Sequence, residues 1–140
     1  MRASHLRGRN TKAVGDISQS QVLAAPIRRG TRVSIPFGDN CRYDLVVEEE
    51  GRFIRIQCKT GRIDRGAIAF PLASSQYHRG GKRRSYQGEV DAFGVFCPEN
   101  RKTYIIPIVD LPLVREARLR LESPRNAQVK GIRWAARYEV

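Results

Sequence analysis

The stretch that decides the fold is Tyr43–Lys59, YDLVVEEEGRFIRIQCK. Its first part, YDLVVEE, is rich in β-branched residues, whose stiff side chains suit the pleated surface of a strand. The acidic run Glu48–Glu50 followed by Gly51 reads as the turn that reverses the chain. In RFIRIQCK the residues alternate, so that Ile54, Ile56 and Cys58 fall on one face and Phe53, Arg55, Gln57 and Lys59 on the other. The second strand therefore carries a polar row. If the two strands are antiparallel neighbours, Asp44 at the start of the first converges with Gln57 and Lys59 at one end of a sheet.

Working outward, RVSIP after Gly30 reads as a short strand and FGDN as a turn. From Thr11 to about Ala25, the apolar residues Val14, Ile17, Val22 and Ala25 recur at helical spacing, with Thr11 as the helix N-cap. Pro26 is expected to end or bend this helix, because proline has no amide hydrogen and restricts the residue before it. Downstream, AIAF near residue 68 is a strand candidate, and AFGVF and TYIIPI form a hairpin around the turn PENRK. Leu111–Leu121 reads as a second helix from the spacing of Leu111, Val114, Ala117 and Leu121. Residues 1–9 read as a basic arm and residues 10–140 as a single domain. The order of elements predicts an α/β domain with a central mixed sheet flanked by helices.

The 140 residues amount to one domain's length, and 41% hydrophobic content supports a core while excluding a wholly disordered chain. Lys and Arg number 26 against 14 Asp and Glu, a net charge of +12 that points to a polyanionic partner. These cations gather in runs, above all Arg79, Lys82, Arg83 and Arg84 in the loop SSQYHRGGKRRSYQGE. No apolar run approaches the length of a membrane span, and MRASHLRGRN lacks the apolar stretch of a secretory signal, so a cytoplasmic location is expected. Cys41, Cys58 and Cys97 include no C-x-x-C pair and are read as reduced thiols.

An acid, an amide oxygen and a lysine on adjacent strands are what a metal-dependent phosphodiesterase requires. The carboxylate of Asp44 and the amide of Gln57 offer oxygen to a hard divalent cation, and Lys59 can stabilise or help deprotonate an attacking water. With its thiol turned into the core, Cys58 still offers the metal its backbone carbonyl. Plainer readings exist for each residue: Asp44 as a turn cap, Lys59 as a solvated strand end. Gln57 discriminates best, because an amide within a β-rich run is costly to bury without partners. His78, among Tyr77, Arg79, Gly80, Gly81 and Lys82, reads as a phosphate contact rather than a general acid or base. Glu89 and Asp91 read as partners for arginines, and Trp134 and Tyr138 as packing residues.

Asp44 followed by Gln57-Cys58-Lys59 resembles the signature of the PD-(D/E)xK nuclease superfamily, in the branch of small intron-encoded homing endonucleases where glutamine replaces the second acid. The likeness extends to K-x-x-G-D-I at Lys12–Ile17, G-D-N-x-R-Y-D-L-V-V-E at Gly38–Glu48 and Q-x-K-T-G-R at Gln57–Arg62. It continues in Y-x-G-E-V-D at Tyr86–Asp91 and K-G-I-R-W-A at Lys130–Ala135. The resemblance implies a Mg²⁺-dependent endonuclease, with Mn²⁺ as a substitute, acting on double-stranded DNA as a homodimer or homotetramer. It implies a metal held by Asp44, Gln57 and the Cys58 carbonyl, catalysis involving Lys59, and DNA contacts from Arg62, His78, Arg79, Lys82, Arg83 and Arg84. The branch usually carries a glutamate in the first helix where this chain has Gln19, which leaves Asp44 as the one assigned anionic ligand and weakens the implied site. Asp16, on a neighbouring helical face, would compensate in part. A Holliday-junction-type resolvase and a non-catalytic DNA-binding module remain alternatives. An RNA-binding protein is disfavoured by the lack of an aromatic stacking platform.

Overall fold

In the computed structural model the two decisive runs form an antiparallel pair, β2 (Leu45–Glu49) and β3 (Arg52–Thr60), in register from Leu45↔Ile56 to Glu49↔Arg52. The structure describes residues 11–73, 86, 88–112, 114–124, 126 and 130–140. Glu50 and Gly51 between the strands have φ of 50° and 75°, the doubly left-handed turn whose twist matches that of the strands it joins. A two-residue turn leaves no slack, so the register and the facing of each side chain are fixed from this end.

β1 (Val33–Ser34) pairs with the outer edge of β2, and β6 (Ala92–Cys97) lies parallel to β3 on its other side. β7 (Lys102–Pro107) completes the hairpin with β6 around the expected turn. The central sheet thus has the order β1-β2-β3-β6-β7 and is mixed, as the order of elements predicts. The helix α1 (Thr11–Arg28) covers one face of this sheet. Val22 packs there against Leu45, Val47, Ile56 and Ala92. Gly94 on β6 permits the approach: a Cβ at this position would collide with Val22 Cγ1 and lie 3.1 Å from Ile56 Cγ2.

The opposite face is covered by a second, antiparallel sheet of β4 (Arg62–Asp64), β5 (Ala67–Pro71) and β8 (Glu116–Arg120), in the order β4-β5-β8. Ile68, Phe70, Ala117 and Leu119 of this sheet meet Phe93, Val95, Cys97, Tyr104 and Ile106 of the first in the larger core. The chain passes from β3 into β4 at Gly61, where a Cβ would lie 2.8 Å from Ile68 Cγ2 and 2.9 Å from Val95 Cγ1. A corner that tight admits only glycine. The final residues lace both sheets: Val140 N donates to Thr103 O at 3.0 Å on the β7 edge, and Arg120 N of β8 donates to Arg133 O at 2.7 Å. Each sheet gains cover for an otherwise open edge.

Four readings need correction. Leu111–Leu121 is not a helix, because Glu116–Arg120 is β8, paired with β5. Ala117 and Leu119 are buried while Glu116, Arg118 and Arg120 are half-exposed, an alternation of two that outweighs the helical spacing suggested by Leu111 and Val114. Pro26 does not stop α1, which runs on to Arg28. Proline in the last turn forfeits a single donor, and its own carbonyl accepts from Arg29 N at 3.1 Å and Thr31 N at 2.9 Å before the chain leaves the helix at Gly30. Thr11 is itself helical in α1 rather than a cap ahead of it. Trp134 is 42% exposed, whereas Tyr138 is packed in the core. The basic arm lies outside the described residues.

Candidate active site

Where β2 and β3 begin to part, Asp44 replaces a strand residue with a side-chain clamp. Its backbone N donates to Ile56 O at 2.8 Å, and its Oδ2 accepts from Cys58 N at 2.8 Å. The carboxylate is thereby held against the β3 backbone between Gln57 and Lys59. Burial pushes the Asp44 carboxyl above its usual range, and the Cys58 amide and the Lys59 charge oppose that shift.

Gln57 and Lys59 leave β3 on the face away from α1, opposite Phe93 and Val95 in the parallel register with β6. The Gln57 amide lies beside the Cys58 carbonyl, with Nε2 donating to Cys58 O at 3.4 Å. Cys58 itself packs against the α1-side core. Burial and the neighbouring Asp44 push its thiol far above the usual range, so it stays protonated and offers no thiolate. Its carbonyl is the oxygen available to the site.

The ammonium of Lys59 is gripped from the other side. Nζ donates to Tyr86 Oη at 3.1 Å and to Ala73 O at 3.4 Å, and it stands 4.8 Å from the Tyr86 ring centroid. The guanidinium carbon of Arg42 lies 3.9 Å from the same centroid, and Arg42 pairs with Glu89 at 2.9 Å. Asp91 accepts from Arg55 N at 2.8 Å and from Arg55 Nε at 3.0 Å, which ties the Tyr86–Asp91 segment to β3. Glu89 and Asp91 are partners of arginines, as the sequence suggested. Tyr86 and Arg42 were overlooked in the sequence, although both stand in runs already singled out, Y-x-G-E-V-D and R-Y-D.

Gln19 sits on α1 beside Ser18, whose Oγ lies 2.6 Å from Thr60 Oγ1 at the end of β3. No hydrogen bond among the described residues joins Gln19 to Asp44, Gln57, Cys58 or Lys59, and Asp16 is exposed. Arg62 pairs with Glu116 at 2.7 Å on the second sheet, a position apart from the Asp44 cluster. His78, Arg79, Lys82, Arg83 and Arg84 lie outside the described residues.

The profile of the PD-(D/E)XK endonucleases matches residues 9–140. The chain belongs to this endonuclease family. A bacterial homing endonuclease, I-Ssp6803I, shares the PD-(D/E)XK fold seen here, with a TM-score of 0.74 at 24% identity over 94% of this chain and 89% of that one. No curated protein sequence matches significantly. Asp44, Gln57, Cys58 and Lys59, the residues that the sequence singled out, stand just before β2 and on β3. As a nuclease it acts on DNA. No described helix is long and apolar enough to cross a membrane.

The family generally uses divalent metals, so the donor set can be tested against one. The half-buried Asp44 carboxylate accepts from the Cys58 amide, and the Gln57 side-chain amide lies against the Cys58 carbonyl, so these neighbouring groups carry hard oxygen donors of the type Mg²⁺ prefers. A cation would offset the burial that raises the Asp44 pKa. Among the described residues no group of three His, Cys, Asp or Glu side chains is placed to hold a metal, so the set fits a hard ion through neutral oxygens and one negative charge.

Proposed function

We propose that this chain is a Mg²⁺-dependent endodeoxyribonuclease that hydrolyses phosphodiester bonds in double-stranded DNA, with Mn²⁺ able to substitute. The observation that supports the reading is the clamp of Asp44 on the Cys58 amide, which holds a carboxylate on the β3 backbone between Gln57 and Lys59. Asp44, Gln57 and the Cys58 carbonyl would hold the ion, which when bound supplies Lewis-acid polarisation of the scissile phosphate.

The protein's own groups do the rest. Two of the three Lys59 N–H donors go to Tyr86 and Ala73, leaving one for a phosphate oxygen or the attacking water. Held this way, the ammonium stabilises the charge that builds on the phosphate without reorganising during the reaction. The basic residues Arg62, His78, Arg79, Lys82, Arg83 and Arg84 supply contacts to the DNA backbone, which position the duplex without reading its sequence. The two strands of a duplex run in opposite directions, so one site per chain calls for a symmetric homodimer, or a homotetramer built from such pairs, to cut both. The shared fold with a homing endonuclease supports a homing-type action, and the same chemistry would serve a junction resolvase.

A second reading, a DNA-binding module that no longer cuts, draws on the single carboxylate at the site and on Gln19 in α1. One experiment separates the readings. Supercoiled, linear and four-way-junction DNAs are incubated with the protein, with and without Mg²⁺ or Mn²⁺, beside Lys59→Ala and Gln19→Glu. We expect metal-dependent cleavage that Lys59→Ala abolishes while DNA binding persists, and faster cleavage by Gln19→Glu. No cleavage of any substrate by wild type or Gln19→Glu would favour the binding module.

A further inference from the structure

We propose that Tyr86 is a positioning residue for catalysis: its hydroxyl and ring fix the Lys59 ammonium in its working position, and Arg42 on the same ring holds Tyr86 in place. This rests on the reading of Lys59 as the lysine of the active site.

A lysine side chain has four rotatable bonds, and its ammonium reacts usefully only if it does not wander. β3 fixes the Lys59 Cα, but the strand cannot fix Nζ. Tyr86 can. It is 5% exposed, and its ring meets Phe93 edge-on at a centroid distance of 5.4 Å with an interplanar angle of 88°. Phe93 is opposite Gln57 in the register, so the ring is seated on the same strand that flanks the site. Its backbone is anchored by Glu89 N and Val90 N, which donate to Tyr86 O at 3.0 and 3.2 Å. The Arg55–Asp91 pair and the Arg42–Glu89 pair then tie this turn to β3, which carries Lys59, and to the segment that carries Asp44.

The ring therefore presents Oη to Nζ at 3.1 Å from a rigid frame, while its face offers a second attraction at 4.8 Å. A third feature points the same way. Arg42, two residues before Asp44, lies 3.9 Å from the Tyr86 centroid, so the acid's strand and the lysine's strand are braced through one aromatic ring.

The test is Tyr86→Phe, which keeps the ring, its contact with Phe93 and both cation contacts, and removes only the hydroxyl. Single-turnover cleavage of saturating duplex DNA with Mg²⁺ is measured beside DNA affinity, for Tyr86→Phe and Lys59→Ala. We expect Tyr86→Phe to lower the cleavage rate roughly tenfold to a hundredfold, the loss that follows when a charge-assisted hydrogen bond is removed. Affinity for DNA should be unchanged. Circular dichroism below the melting temperature of each variant verifies that every rate belongs to folded protein. If Lys59→Ala abolishes cleavage and Tyr86→Phe cuts at the wild-type rate, Tyr86 does not position the lysine. If Lys59→Ala itself cuts normally, the assignment of the lysine fails, and this inference with it.

Discussion

Asp44 serves two opposed demands. As a half-buried carboxylate it is uncomfortable when ionised, because burial raises its pKa more than the Cys58 amide and Lys59 lower it. In the proposed role of metal ligand it must be ionised. Between the ordinary carboxylate pKa and its raised value in the folded chain, the native state keeps a proton that the unfolded state has lost, so stability falls as pH rises through that window. Asp44→Asn removes the cost and retains an oxygen to accept from the Cys58 amide. Thermal melts across the pH range should therefore show this variant melting above wild type at pH 7, with the difference gone below about pH 4. Cleavage should be lost, and Mg²⁺ should raise the wild-type melting temperature but not that of the variant. A variant that melts below wild type at neutral pH would mean that the carboxylate is a net support. Much of this residue-level arrangement was legible, since a two-residue period alone sends Gln57 and Lys59 to one face. The grip of Tyr86 was not, because it joins residues 27 positions apart through a ring that no period or spacing marks.

At the scale of elements, one face of the central sheet is set by how closely α1 lies on it. Val22 fills the space above Gly94, and Ser18 reaches Thr60 across the same interface at 2.6 Å. Gly94→Ala puts a methyl group into Val22, and overpacking of a core of this kind costs about 1–3 kcal/mol. A melting temperature lowered by roughly 3–12 °C is the expected result. Adding Val22→Ala should restore part of the loss, because the two side chains compete for one space. A fully additive double variant would place the strain elsewhere. The longer strands declared themselves through β-branched content and alternation. β4 did not, since three residues after a glycine corner are too few for a period, and β8 was obscured by a chance helical spacing that begins outside it. Sequence spacing also could not reveal that the other face is covered by a sheet, because that pairing joins Ala67–Pro71 to Glu116–Arg120 across a long intervening chain.

Over the whole molecule, the net charge of +12 is spread less evenly than the count suggests. On the second sheet, Arg62 pairs with Glu116 at 2.7 Å and Arg118 with Asp64 at 3.0 Å, so part of the positive charge there is already matched. The run Arg79, Lys82, Arg83 and Arg84 has no acidic residue within it. These cations are therefore expected to be the better source of phosphate contacts, and Arg62, given the same role in the proposed function, the weaker one. Counterion release makes the distinction measurable, because each phosphate neutralised contributes about 0.9 to the slope of log affinity against log salt. Affinity for a short duplex, measured between about 50 and 200 mM salt, should lose about 3 to 4 from that slope when all four cations of the run become alanine. Arg62→Ala should change it by well under about 0.9, since an arginine already matched by Glu116 neutralises little phosphate charge. A slope untouched by the fourfold change would put the DNA on another surface, and a large effect of Arg62→Ala would put it on the second sheet.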